Sequence, residues 1–164
     1  MPNDSNRRNF LKTSTVAAAG AALTSTVART AHAAGSDEIK FALVGCGGRG
    51  TGAADQIMNT KGNTKLVAVA DAFGNKAEGT IRGLGKKHKE KVDVSPDNTF
   101  IGLDAYKKAI DVDCDLVIIA TPPGFKPQQF EYAVNKGRHI FMEKPVASDA
   151  IGVRRVLAVS YTHL

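Results

Sequence analysis

The chain has no tryptophan, only two cysteines in 164 residues, and aromatic side chains at 6%. No run of 18 uninterrupted apolar residues occurs, which excludes a standard membrane-spanning helix. Cys46, Cys114 and the four histidines lack the spacing of a metal site, so no metal is expected. A cysteine framework is absent as well, and at this length none is needed to bury a sizeable core. Charged residues at 23% and hydrophobic residues at 43% are ordinary values, which excludes wholesale disorder and collagen-like repeats. The length suits one domain, or one domain with a tail.

Acids are the scarcer charge, 16 against 22 bases, for a formal net charge of +6. The excess is uneven. Residues 1–33 hold Arg7, Arg8, Lys12 and Arg29 against Asp4 alone, leaving 18 bases and 15 acids, a net +3, in the rest. The remaining lysines gather at Lys86, Lys87, Lys89 and Lys91, interleaved with Glu90 and with no aromatic among them. A nucleic-acid surface calls for a broader basic stripe or for stacking rings. The cluster therefore reads as a solvated helix end, and no nucleic-acid partner is expected.

The N-terminal segment has the layout of an export signal. A basic front, Arg7-Arg8-Asn9-Phe10-Leu11-Lys12, precedes a weakly apolar stretch over 13–28, and Ala31-His32-Ala33 supplies the small residues of a cleavage site. The paired arginines followed by Phe-Leu-Lys resemble a twin-arginine (Tat) signal, with cleavage expected after Ala33 and a periplasmic or otherwise exported destination. An N-terminal amphipathic helix is the other reading of residues 1–33. The Tat route carries folded proteins, which suits a protein that must acquire a cofactor before export.

From residue 39 the chain alternates short apolar runs with helical stretches. Strands are expected over 39–44, 66–70, 115–120 and 139–142, with a short edge strand at 92–94. Helices are expected over 51–59, 75–89, 104–110 and 128–136, and after Ser148 or Asp149. Gly79, Gly83 and Gly85 put the continuity of the 75–89 helix in question, and Asp104 is a candidate N-cap. The alternation predicts an α/β domain with a Rossmann-type, doubly wound parallel sheet over residues 34–158.

Gly45-Cys46-Gly47-Gly48-Arg49-Gly50 fits Gly-x-Gly-x-x-Gly between an expected strand and an expected helix. In that context Gly45 allows the tight turn, Gly47 the close approach of a pyrophosphate, and Gly50 close helix–strand packing. The helix N-terminus offers unpaired N–H groups to the phosphates. Asp71, 21 residues beyond Gly50 at a strand end, can accept hydrogen bonds from the hydroxyls of an adenosine ribose and would repel a 2′-phosphate. That favours NAD, while Lys76 and Arg82 nearby keep NADP open. Methyltransferases pair a glycine loop with a strand-end acid too, so these residues alone also leave a methyltransferase-like domain or a stand-alone dinucleotide-binding module open.

Thr121-Pro122-Pro123-Gly124 and Glu143-Lys144-Pro145 each follow an expected strand, at the edge where open α/β sheets bind ligands. A lysine placed there can position or protonate a substrate oxygen. Taken together, residues 44–50, Val69-Ala70-Asp71, Ala120-Thr121-Pro122, Ala133 with Gly137-Arg138-His139, and Glu143-Lys144-Pro145 resemble the N-terminal domain of the Gfo/Idh/MocA oxidoreductases, over residues 39–157. The resemblance implies hydride transfer between a nicotinamide cofactor and a sugar or polyol. It implies that the residues of the glycine loop and Asp71 hold the adenosine half, that Thr121 and Pro122 line the nicotinamide side, that Glu143 contacts the nicotinamide ribose region, and that Lys144 is the catalytic lysine. Family members often carry histidine five residues after the threonine; here that position is Lys126. The resemblance further implies a second, substrate-binding domain that is missing from this length, and possible self-association in a longer parent. Residues 159–164 resemble a translated transposase-adaptor sequence, so this chain is expected to be a fragment without activity of its own, its native part ending at Ala158.

Cys46 and Cys114 are expected at opposite ends of parallel strands, on the order of 15–20 Å apart at about 3.3 Å per residue. Disulfide Cα atoms lie within about 7 Å, so no bond between them is expected. His139 opens a strand and reads as structural.

Overall fold

A computed structural model of the chain describes residues 37–161. The N-terminal segment read as a signal lies outside these residues. Five parallel strands, β1 (Glu38–Val44), β2 (Asn63–Asp71), β3 (Thr99–Ile101), β4 (Leu116–Ile119) and β5 (His139–Met142), form one sheet in the order β3-β2-β1-β4-β5. The helices are α1 (Gly48–Met58), α2 (Gly74–Lys87), α3 (Ala105–Asp111), α4 (Lys126–Asn135) and α5 (Ala150–Tyr161). α5 runs across the expected boundary at Ala158.

The apolar runs follow from burial on both faces of the sheet. Phe41, Leu43, Leu66, Val69 and Ile118 point to one face, where they meet Met58 of α1 and Leu84 of α2. Ala42, Val44, Ala68, Val117 and Ile119 point to the other, against Tyr106 and Ile110 of α3 and Ala133 of α4. A register shift between Phe41 and Ala42 lets Val67 join Ala68 on that second face. With both faces covered, these strands cannot alternate apolar with polar residues.

Three local expectations change. Residues 92–94 do not form the edge strand; Val92 makes a single bridge to Leu66, and β3 pairs instead with the end of β2, Thr99 opposite Val69 and Ile101 opposite Asp71. A turn at Pro96–Asn98 divides the edge, and the Asn98 amide donates to Val67 O at 3.1 Å, which seats β3 beside the strand end that carries Asp71. α2 is continuous despite its glycines, because Ala77, Thr80 and Leu84 bury one face while Gly79, Gly83 and Gly85 have nothing within 4 Å of a would-be Cβ. Asp104 flanks α3 but caps it with no side-chain bond; its carboxylate pairs with Lys107 at 2.8 Å. Asp149 does cap α5, accepting from Gly152 N–H at 2.6 Å.

The lysine cluster closes α2 as expected. Lys87 and His88 bond the Asp55 carboxylate at 3.3 and 2.7 Å, and Lys91 donates to Met58 O at 2.7 Å. Cys46 and Cys114 are both buried and free, at opposite ends of the sheet.

Candidate functional site

Strand order reverses between β1 and β4, and the crevice beyond their carboxyl ends is where open α/β sheets bind ligands. A cleft of about 630 Å³ opens at this point, bordered by Gly45, Gly47, Asp71, Thr121 and Pro122.

The glycine loop leaves β1 at Gly45, whose φ of +97° is left-handed and whose N–H donates to Ala70 O at 2.8 Å. A Cβ on Gly45 would stand 2.8 Å from the main chain of Ala120 and Thr121. A Cβ on Gly50 would stand 1.9 Å from Gly45 O, so only glycine lets α1 start this close to the loop. Gly47 and Gly48 face open space instead. Gly47 is the N-cap of α1 and offers no side chain to its first turn, which also carries no acid. The first N–H groups of the helix and its positive dipole end are therefore left for an anion.

Cys46 ties the loop down. Its N–H donates to Asp71 Oδ2 at 2.6 Å, and its carbonyl accepts from Thr80 Oγ1 at 3.0 Å. Thr80 also bonds Thr51 Oγ1 at 2.7 Å, so α1 and α2 meet beneath the loop through hydroxyls. Burial, reinforced by the Asp71 charge, pushes the Cys46 thiol up to about 12. It is a packed, neutral group. Asp71 Oδ1 accepts from Phe73 N–H at 2.9 Å, and each carboxylate oxygen retains a second lone pair.

Across the crevice, Thr121 Oγ1 donates to Gln129 Oε1 at 2.5 Å, and Pro122 O accepts from Phe125 N–H at 3.1 Å. Glu143 is buried at the end of β5, where its N–H donates to Ile119 O at 2.9 Å. Arg49 Nη2 reaches from the glycine loop to Glu143 Oε1 at 2.5 Å, and this bond, above all, holds the Glu143 carboxyl below the usual range. Lys144 is exposed and lies outside the cleft lining, and no carboxylate among the described residues pairs with it. The structure thus brings ten of the eleven expected site residues together through the loop, Asp71, the Thr-Pro turn and the Arg49–Glu143 pair, with Lys144 beside them.

Sequence reasoning missed several residues. Phe73, Leu103 and Phe125 line the cleft with exposed apolar surface, beside Lys76, which the sequence had singled out. None belongs to a spaced motif. Lys126, recognised only as a departure from a pattern, proves to be a buried lysine at the start of α4. Arg82, weighed with Lys76, is not among the residues of the cleft. His139 lies at the opposite end of its strand from the crevice.

The family model for Gfo/Idh/MocA oxidoreductases, described as an oxidoreductase family with an NAD-binding Rossmann fold, matches residues 39–161. The chain belongs to the Gfo/Idh/MocA family. A twin-arginine translocation signal sequence matches residues 4–24, so the protein carries a signal for Tat export to the periplasm. The chain is 32% identical over 121 residues to inositol 2-dehydrogenase of Rhizobium meliloti, covering 74% of this chain and 32% of that protein. It is also 32% identical over 113 residues to glycosyl hydrolase family 109 protein 1 of Bacteroides fragilis, covering 68% of this chain and 23% of the relative. Among solved structures, scyllo-inositol dehydrogenase of Lactobacillus casei with bound NAD(H) and scyllo-inositol superposes with a TM-score of 0.62 at 29% identity, covering 77% of this chain and 34% of that one. The chain therefore spans about a third or less of the length of these relatives. Membership sets aside the methyltransferase-like alternative that the glycine loop and Asp71 had left open.

Proposed function

We propose that this chain is the cofactor-binding part of an exported NAD-dependent oxidoreductase acting on a sugar or polyol. The observation that carries the proposal is the convergence at the β1/β4 crevice: an uncapped helix N-terminus, a glycine face open to the cleft, and a strand-end carboxylate.

These residues fit a dinucleotide. The loop N–H groups from Gly47 to Gly50 would hold a pyrophosphate, with Arg49 close enough to add charge, while Asp71 accepts from the adenosine ribose hydroxyls. Exposed Phe73 and Leu103 beside Asp71 offer an apolar seat for a flat base. Thr121 and Pro122 border the nicotinamide side, and Glu143 addresses the adjoining ribose. The chemistry a bound nicotinamide cofactor supplies is acceptance or donation of hydride. The task of Lys144 is to hold a proton at the substrate oxygen, which requires the substrate to be presented by chain beyond the length seen here. The partners on this reading are the Tat machinery during export and a sugar-like substrate in the whole protein, with self-association of the longer protein also implied.

Calorimetric titration of the chain with NAD+, NADP+ and S-adenosylmethionine tests the reading. NAD+ is expected to bind tightest of the three. Tightest binding by S-adenosylmethionine, or no binding of either dinucleotide, would overturn it.

A further inference from the structure

We propose that Lys126 is a positioning residue for the nicotinamide half of the site, its buried ammonium gathering the carbonyls of Glu143, Lys144 and Pro145 and so setting where the Glu143 and Lys144 side chains leave the backbone. The roles of those two side chains rest on the function proposed above.

Lys126 is only 2% exposed. Its Nζ donates to Glu143 O at 2.5 Å, to Pro145 O at 3.0 Å and to Lys144 O at 3.3 Å. An ammonium has three N–H donors and no acceptor, so this set uses all of them. The three carbonyls belong to consecutive residues and converge on one point, which an uncharged filler could not stabilise, because their negative ends would face one another. Burying a lysine is costly compared with burying an apolar residue of similar volume, so space-filling does not account for it. Burial accordingly holds the Lys126 pKa below its ordinary value, with the nearby Lys144 charge acting in the same direction and Glu143 opposing both.

The placement links both strand-end turns to one helix. Gln129, one turn further along α4 and also buried, bonds Thr121 Oγ1, while Lys126 holds residues 143–145. The first turn of α4 thereby fixes the Thr-Pro turn after β4 and the Glu-Lys-Pro turn after β5 relative to each other. Arg49 completes the tie from the glycine loop through the Glu143 carboxylate.

The test compares NAD+ with AMP, which lacks the nicotinamide half. In Lys126→Met, the NAD+ dissociation constant is expected to rise about tenfold while that of AMP stays within about twofold. Lys126→Arg, which keeps the charge and the donors, is expected to restore most of the NAD+ affinity. Should the methionine variant not fold, Lys126→Gln is read by the same ratio. An unchanged NAD+/AMP ratio, or equal loss of both ligands, would overturn the proposal, since the lysine would then be neutral or a support of the fold as a whole. A wild-type chain that binds AMP but not NAD+ would overturn the functional reading itself, and this inference with it.

Discussion

Cys46 shows how a thiol inside a binding loop can be inert in place. It sits inside the glycine loop, yet its thiol is buried, packed toward Ala70 O, and raised to about 12 by desolvation and by the Asp71 charge. The thiolate is the nucleophile, so iodoacetamide at pH 8 is expected to leave Cys46 of the folded chain unmodified over hours and to alkylate it once denaturant is added. Mass spectrometry of the alkylated peptide reads the result; rapid labelling of the native protein would contradict it. Asp71 is the opposite case. Its position at the end of β2 was legible from spacing, but its bonds to Cys46 and Phe73 N–H were not, because they depend on the loop folding back over the strand end.

At the scale of elements, buried strands were the easiest features to read. Phe41 to Val44 and Leu116 to Ile119 are continuous apolar runs because helices cover both faces of the sheet. The 92–94 segment misled because its two valines pack against the core on the Phe41 face of the sheet whether or not they join the ladder, and the backbone pairing goes to Thr99–Ile101. α2 was obscured by glycines whose local preference is overridden by the burial of Ala77, Thr80 and Leu84. That conflict gives a prediction. Gly79→Ala and Gly83→Ala, where an added Cβ meets open space, are each expected to stabilise the chain by about 0.5–1 kcal/mol, read from urea unfolding midpoints. Destabilisation by either would mean that α2 is less regular than described. The site itself was half legible: the motif residues stand out by spacing, whereas Thr80, Lys126 and Gln129 act through partners that are distant in sequence or that only the fold brings into contact.

At the scale of the whole molecule, several carboxylates among the described residues are tied by ion pairs that span elements. Asp55 meets His88 and Lys87, Asp111 meets Lys136, Asp113 meets Lys40, and Glu143 meets Arg49; each is held below its ordinary pKa, chiefly by the hydrogen bond from its partner. A carboxylate with a depressed folded-state pKa favours the folded state above its unfolded value, about 4, and loses that contribution as the pH falls toward the folded value. Stability is therefore expected to be level from pH 7 to about 5 and to decline below about 4. Urea midpoints across that range check the sign, and added salt should narrow the difference, since most of these pairs are solvent-accessible. A midpoint that rises on acidification below pH 4 would contradict the account.

The molecule's central feature is a cleft lined by the Asp71 carboxylate, the group proposed above to take the adenosine ribose. The most direct test measures NAD+ and NADP+ dissociation constants for the wild-type chain and for Asp71→Ala. Loss of the Cys46 and Phe73 bonds should weaken both cofactors alike, so the ratio isolates the ribose contact. The preference for NAD+ over NADP+ is expected to fall by about tenfold, or ~1.4 kcal/mol. An unchanged ratio would contradict it.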